Sequence, residues 1–269
     1  MSSSNLEFNK ILVTGGSGGL GLAFTKLFLE KGKKVIIAGR TASSLESAKE
    51  DLSKTYSGKV STSQIDLQNI KHFPEYVEQL LAEHPDLDAI CLNAGIQKPI
   101  SYAALESTEA VKDILQDTDD EITTNILSVV HLTTVLMPHL LKQPKAVICT
   151  VSSGLAFVPK AGVPVYCATK AFIHSWTLSL RYQLEKTNVR VIEVAPPLVE
   201  SNLHRDHDDP DNNKKSKNSA ALTVKDFITE VDQKWSAGDK EIAAGFAANS
   251  SKKWYDAYGE QLEKMNEGV

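Results

Sequence analysis

The chain is 269 residues long, 42% hydrophobic and 23% charged, with a formal net charge of −5. Those proportions are close to the globular average and exclude collagen, coiled coil and disorder for the chain as a whole, and the acidic balance excludes a broad nucleic-acid footprint. The three cysteines, Cys91, Cys149 and Cys167, contain no CxxC pair, so neither a disulfide framework nor a metal site is expected, and each reads as reduced and buried in its apolar run.

Lys10–Thr14 is a short apolar run ending in glycines and predicts a buried strand. Leu20, Ala23, Phe24, Leu27 and Phe28 then recur on one helical face, and Gly32 stops that helix. Val35–Ala38 predicts a second strand, so residues 10–39 make one β-α-β unit. Further strands are predicted at Val60–Ile65, Ala89–Leu92, Ala146–Val151 and Val189–Val194, alternating with helices at His72–Glu83, Asp119–Leu141 and Val165–Lys186. Alternation of this kind implies a parallel, doubly wound sheet of about seven strands with helices on both faces, and a ligand beyond the carboxyl ends of the strands. After Ala195 the pattern breaks. Residues 204–218 are polar and predict a mobile loop or lid, followed by helices near Thr223–Ala237 and Ala247–Met265 and a last strand at Glu241–Ala244. No linker stands out, so residues 1–269 are expected to form one domain with a variable substrate loop or cap around 198–240. No run approaches the roughly 18 apolar residues of a membrane helix. Met1 to Lys10 lacks the apolar core of a secretory signal. A cytoplasmic protein with no nucleic-acid or membrane partner is the expectation.

Thr14-Gly-Gly-Ser-Gly-Gly-Leu-Gly21 lies where the first strand becomes the first helix. Glycine permits positive φ and close backbone approach, and a helix N-terminus favours an anion, so a phosphate-bearing ligand is expected here. The stretch fits two dinucleotide fingerprints, Gly16-x-Gly18-x-x-Gly21 and Gly15-x-x-x-Gly19-x-Gly21. It also fits the nucleophile elbow Gly15-x-Ser17-x-Gly19, but too few residues precede it to supply the oxyanion loop that an elbow needs. A dinucleotide site usually carries an acid at the end of the second strand, for the ribose 2′-hydroxyl. This chain has Ala38-Gly39-Arg40. An arginine suits a 2′-phosphate, which argues for NADP(H) over NAD(H), with Ser17 and Thr41 as added hydroxyl contacts. A solvated surface arginine is the alternative.

Tyr-x-x-x-Lys places a phenol and an ammonium on one helix face, one turn apart. At about 5 Å and an effective dielectric of about 20 their attraction is roughly 3 kcal/mol, which predicts a phenol lowered by about 2 pK units. The spacing alone is weak, because the chain holds two such pairs, Tyr166/Lys170 and Tyr182/Lys186. They fall about 160° apart around one predicted helix, so they cannot share a site. Ser153, at the end of the fifth strand and 13 residues before Tyr166, decides for the first pair.

With these residues assembled, the chain resembles the short-chain dehydrogenase/reductase superfamily over about Lys10 to Asn202. The match comprises the Thr14–Gly21 turn, Asn93-Ala94-Gly95, Asn125, Ser153, Tyr166-x-x-x-Lys170 and Pro196 onward. Val194–Val199, His139-Leu140 and Ser153–Pro159 resemble a DltE-like subgroup. The resemblance implies a Rossmann-type α/β fold and a catalytic set of Asn125, Ser153, Tyr166 and Lys170. Tyr166 would be the general acid/base, Lys170 would lower its pKa and hold the nicotinamide ribose, and Ser153 would bond the carbonyl oxygen. Asn125 would hold a water of the proton relay, or else serve as a polar satisfier in its helix. The implied cofactor contacts are Gly15, Ser17, Gly19, Leu20, Gly21, Arg40, Thr41, Asp66, Leu67, Asn93, Ala94, Gly95, Tyr166, Lys170, Pro196, Val199 and Ser201. Asp66 reads equally as the N-cap of the helix after it. One departure is Pro196-Pro197 where the family usually has Pro-Gly, and Pro197 offers no N–H.

The function so implied is an NADP(H)-dependent carbonyl reductase or alcohol dehydrogenase acting on a small-molecule carbonyl or alcohol. The alternatives are a non-catalytic NADP-binding sensor or scaffold, and another reaction class on the same fold. The family's habit of pairing its long helices implies a homodimer or homotetramer. His174 reads as a packed histidine. Leu155, Phe157, Val158 and Val163 are candidates for an apolar pocket wall.

Overall fold

The computed structural model describes residues 6–268, so residues 1–5 and 269 of the expected single domain lie outside it. Seven strands form one sheet: β1 Lys10–Thr14, β2 Lys34–Gly39, β3 Val60–Gln64, β4 Ala89–Leu92, β5 Ala146–Val151, β6 Val189–Ala195 and β7 Glu241–Ala243. All pairings are parallel, in the order β3-β2-β1-β4-β5-β6-β7. The central strands β4 and β5 are buried at every position, which is why their sequences lack polar alternation. The order reverses at β1, whose neighbours are β2 and β4, and a crevice therefore opens above the carboxyl ends of β1 and β4.

Helices cover both faces: α1 Gly19–Glu30, α2 Ala42–Ser53, α3 Phe73–Glu83, α4 Thr108–Ile122, α5 Ser128–Leu140, α6 Pro164–Gln183, α7 Val224–Ala237 and α8 Gly245–Asn266. One core layer packs α1 and α7 on the sheet through Phe8, Phe24, Phe28, Phe227 and Trp235. The other packs α3, α5 and α6 through Val77, Leu80, Leu132, Leu136 and Ile173. Among the described residues no helix is long and apolar enough to cross a membrane, and the three cysteines are buried and unpaired.

The structure corrects the element reading in three places. The helix expected at Asp119–Leu141 begins eleven residues earlier, where Ser107 caps α4 by accepting from the Ala110 amide at 3.1 Å. It is also not one regular helix: Thr123–Leu127 forms a π-helical turn between α4 and α5. Helix α2 was not expected at all. Within residues 204–218, expected to form a mobile loop or lid, the buried Asn213 donates to the Val199 and Ser201 carbonyls, and Asp206 pairs with Lys98 at 3.1 Å.

Candidate active site

The Thr14–Gly21 turn carries α1 away from β1 at the crevice. Gly15 and Gly19 have φ of +68° and +51°, a region that glycine enters freely. A Cβ on Gly21 would stand 2.1 Å from the Gly15 carbonyl oxygen and 2.6 Å from Asn93 Nδ2, so only glycine lets α1 pack this close. Gly18 is different: a Cβ there would meet nothing within 4 Å. The N-terminus of α1 has no side-chain cap and no acid in its first turn, which leaves its amides facing an open cradle. Asn93 underpins the turn by donating from Nδ2 to the Thr14 carbonyl at 2.9 Å. The Asn93 and Ala94 amides donate to Thr14 Oγ1 at 3.0 and 3.1 Å. These residues fit the diphosphate of a dinucleotide.

Arg40 stands exposed just past the end of β2, next to Thr41, the N-cap residue of α2. Ser17 Oγ lies 4.0 Å from the position of a Gly39 Cβ, so the glycine turn and the β2 end adjoin. Ser43 and Ser44, in the first turn of α2, line a second depression with Ser17, and α2 also starts without an acid or a side-chain cap. Sequence reasoning missed both serines because it missed α2. Asp66 is exposed beyond β3, and its Oδ1 accepts from the Gln68 amide at 3.0 Å. It closes a local turn and is not the N-cap of α3, whose N-cap residue is His72. Leu67 packs on the second core layer. Arg40, Thr41, Asp66 and Leu67 therefore border the crevice at β2 and β3, outside the main cavity.

That cavity, of about 540 Å³, runs from Gly15–Leu20 past Ser153, Tyr166 and Lys170 to Phe246. Ser153 lies two residues past β5, where its Oγ accepts from the Leu155 amide at 3.1 Å. Tyr166 and Lys170 rise from the first turns of α6, each 5% exposed. Lys170 Nζ donates to the Val151 carbonyl at 2.8 Å and lies 5.6 Å from the centre of the Tyr166 ring. The second pair falls away from the site, with Tyr182 half-buried and Lys186 exposed beyond the end of α6.

The expected lowering of the phenol is overturned. Burial pushes Tyr166 well above the usual tyrosine value, only partly offset by the Ser153 hydroxyl. Burial also brings Lys170 down to about 8. The pairwise attraction counted one favourable charge and left out the desolvation of both groups.

Asn125 sits in the π turn and clasps Ile96: its Oδ1 accepts from the Ile96 amide and its Nδ2 donates to the Ile96 carbonyl, both at 2.9 Å. Nδ2 also donates to Thr169 Oγ1 at 3.2 Å. The side chain is thus occupied as a polar clamp. Gly95 adjoins both groups: a Cβ there would lie 3.2 Å from Asn125 Oδ1, a tight fit, and 3.6 Å from Lys170 Nζ.

Below Lys170, one turn along α6, His174 Nδ1 bonds the Glu193 carboxylate at 2.9 and 3.0 Å, and Ser152 Oγ donates to the same carboxylate. Glu241, which accepts from Ser251 and Tyr255, completes the cluster. The ligand-type atoms of His174, Glu193 and Glu241 lie within 4.8 Å of one another. Each carboxylate already has hydroxyl or imidazole partners, while His174 Nε2 is buried without one.

Past the tyrosine the cavity is walled by Leu155, Val163, Leu203 and Phe246. Two expected wall residues are elsewhere: Phe157 packs on the His174 ring at 4.6 Å and Val158 is exposed. Pro196 accepts from the Gly154 amide at 2.8 Å, and Pro197 packs against Gly245, where a Cβ would stand 3.2 Å away. Val199, 5% exposed, and Ser201 line the cavity, but Ser201 Oγ accepts from the Leu203 amide at 3.3 Å and caps a short turn. Lys160, Arg205, His204 and His207 join the lining at this end, and among the described residues no Asp or Glu lines the cavity. The two imidazoles stack at 4.2 Å, and His207 Nε2 meets Gln97 Oε1 at 2.8 Å. Burial lowers both histidines, and Lys160 opposes their protonation.

Comparison with known proteins agrees with this geometry. The family model described as short chain dehydrogenase matches residues 9–212. An uncharacterized oxidoreductase, DltE, of Bacillus subtilis is 41% identical over 222 residues, covering 82% of this chain and 80% of its own. The NADP-dependent 3-hydroxy acid dehydrogenase YdfG of Salmonella typhi is 34% identical over 225 residues, covering 82% and 86%. The closed form of a serine dehydrogenase complexed with NADP+ superposes with a TM-score of 0.73 at 28% identity, covering 87% of this chain and 94% of that one.

Proposed function

This chain belongs to the short chain dehydrogenase family, and we propose that it is an NADP(H)-dependent oxidoreductase interconverting an alcohol and a carbonyl compound, with Tyr166 as general acid/base. The observation that carries this reading is a single cavity lined by the glycine turn at one end and by Ser153, Tyr166 and Lys170 at the other. The amides of Gly15–Leu20 would hold the diphosphate, Asn93–Gly95 and Val199 the middle of the dinucleotide, and Arg40 with Thr41 the 2′-phosphate. When bound, the nicotinamide supplies or accepts the hydride. Tyr166 gives its proton to the substrate oxygen in reduction and takes it back in oxidation. Ser153 donates to that oxygen as charge develops. Lys170, at about 8, is mostly an ammonium at neutral pH and restores the proton. Asn125, clamped on Ile96, holds the wall beside Lys170.

The substrate end adds a class. Among the described residues Lys160 has no ion-pair partner, and Arg205 meets one carboxylate, Asp206 at 3.9 Å, while donating to the Asn202 carbonyl at 3.3 Å. A wall with these cations and no acid suits an anionic substrate, in keeping with the 3-hydroxy acid activity of the YdfG relative. NADP+ reduction by short 3-hydroxy acids and by their methyl esters tests this. The acids should be preferred, and Lys160→Ala and Arg205→Ala should raise KM for the acids while sparing the esters. Equal use of both would remove the anionic class. A homodimer or homotetramer belongs to the same proposal, supported by exposed Val111 and Leu115 on α4 and Phe172 on α6. Light scattering at monomer mass would overturn it.

A further inference from the structure

One buried acid beside the cavity has no part in the chemistry so far. Glu121, in the last turn of α4, is 0% exposed. Its Oε1 accepts from the Lys98 amide at 3.2 Å, while its Oε2 is buried with no hydrogen-bond partner. An ionised carboxylate with an unsatisfied buried oxygen is costly, so this position favours the neutral acid.

Its place in the fold matters as much as its burial. Glu121 precedes Asn125 by one turn, on the same side of the helix. Asn125 in turn borders Gly95 and Lys170. The charged groups whose fields reach Glu121 are Asp117 on its own helix, Lys98 from the segment after β4, and Lys170 from α6. Burial raises Glu121 most and Asp117 adds to it, while Lys98 and Lys170 pull it down, leaving it at about 7. Its charge also acts on both Lys170 and Tyr166. The other acid felt by Lys170 is Glu193, whose carboxylate is already engaged by Ser152 and His174. Glu121 therefore has an uncommitted oxygen where Glu193 has none. Lys98, whose backbone amide holds Glu121 Oε1, carries its partly exposed ammonium to Asp117 at 3.3 Å and Asp206 at 3.1 Å.

We propose that Glu121 is a positioning residue acting through Lys170, holding the proton that refills the Tyr166–Lys170 pair in each turnover. The proposal rests on the oxidoreductase reading above. In reduction the Tyr166 O–H bond breaks and its proton goes to the substrate oxygen, while the nicotinamide supplies the hydride. The Lys170 ammonium reprotonates the phenolate. The Glu121 carboxyl reprotonates the neutral lysine, becomes carboxylate, and recovers one proton from water along the Lys98–Asp117 side. Oxidation runs the same transfers backwards, and one proton is exchanged with solvent per turnover in either direction.

The test is the pH dependence of kcat for the wild type and for Glu121→Gln. The glutamine keeps the volume and an oxygen for the Lys98 amide but cannot carry a proton. The wild type should show an inflection in kcat near neutrality. In Glu121→Gln that inflection should vanish and kcat at pH 7 should fall about tenfold, with KM and NADPH affinity within twofold and recovery on adding imidazole as an external proton carrier. Glu121→Asp should restore the inflection. Superimposable pH profiles, or a loss confined to KM and thermal stability, would overturn the proposal. A wild type silent toward every carbonyl and alcohol would instead overturn the reading beneath it.

Discussion

Two glycines three residues apart in the same turn should behave in opposite ways. A methyl group at Gly21 would sit 2.1 Å from the Gly15 carbonyl oxygen and 2.6 Å from Asn93 Nδ2. Ordinary carbon–oxygen contact is more than 1 Å longer, so α1 must shift outward, away from a layer in which Phe24 and Phe28 are fully buried. Overpacking of this kind costs about 1–3 kcal/mol. At about 2–4 °C per kcal/mol for a chain of this size, Gly21→Ala should lower Tm by about 2–12 °C. Gly18 is extended, at φ −158°, and a methyl group there meets nothing within 4 Å. Gly18→Ala should leave Tm within about 2 °C, or raise it slightly by restricting the unfolded chain. That methyl would nevertheless project into the cradle where the diphosphate is proposed to lie, so NADPH affinity should fall by about tenfold or more, about 1.4 kcal/mol. Thermal unfolding and NADPH fluorescence titration on both variants make the comparison. An unchanged Tm for Gly21→Ala would refute the packing argument, and an unchanged NADPH Kd for Gly18→Ala would refute the cradle.

Arg40→Asp should weaken NADPH far more than NADH, because one charge-assisted contact is lost and a repulsion gained; equal losses in paired titrations would make Arg40 a surface residue. Tyr166→Phe should abolish turnover while leaving cofactor affinity intact, and Tyr182→Phe should be neutral in the same assay; activity surviving in Tyr166→Phe would transfer the acid role elsewhere. Burial works against His174 protonation, but the Glu193 carboxylate outweighs it and holds the imidazole above its usual 6.5. A raised histidine contributes stability that is full below about 6.5 and lost as pH rises through its folded value. Glu241 is also raised, chiefly by burial, and acts in the same direction. The urea midpoint should therefore fall as pH rises above neutrality, and His174→Gln should flatten that fall; a wild-type midpoint that rises with pH would contradict the sign.

Strands such as Lys10–Thr14 and Ala146–Val151 were legible because each is an apolar run with a glycine or a polar break at its end. The Ser153, Tyr166 and Lys170 constellation was legible because three weak signals had to agree in spacing. Helix α2 was not, since only Leu45 and Leu52 are buried in it and two leucines seven apart make no stripe. The first half of α4 was hidden for a related reason: it has no buried residue, Val111 and Leu115 face outward, and the helix buries only Glu121, in its last turn. An acid inside Asp117-Thr-Asp-Asp-Glu121 reads as a solvated run, and nothing local announces that α6 will cover it. The tyrosine's shift was misjudged because desolvation depends on neighbours distant in sequence. Lys160 and Phe246 reach the cavity from a loop and from the C-terminal helix, which only the tertiary fold brings together.

The most direct measurement is oxidation of NADPH and of NADH, followed at 340 nm, against a panel of aldehydes, ketones and 3-oxo acids, with Tyr166→Phe in parallel. Turnover that is faster with NADPH and absent in Tyr166→Phe is the predicted result. Tight NADPH binding with no turnover of any carbonyl, in wild type and variant alike, would contradict the catalytic reading and make the chain a cofactor-binding protein instead.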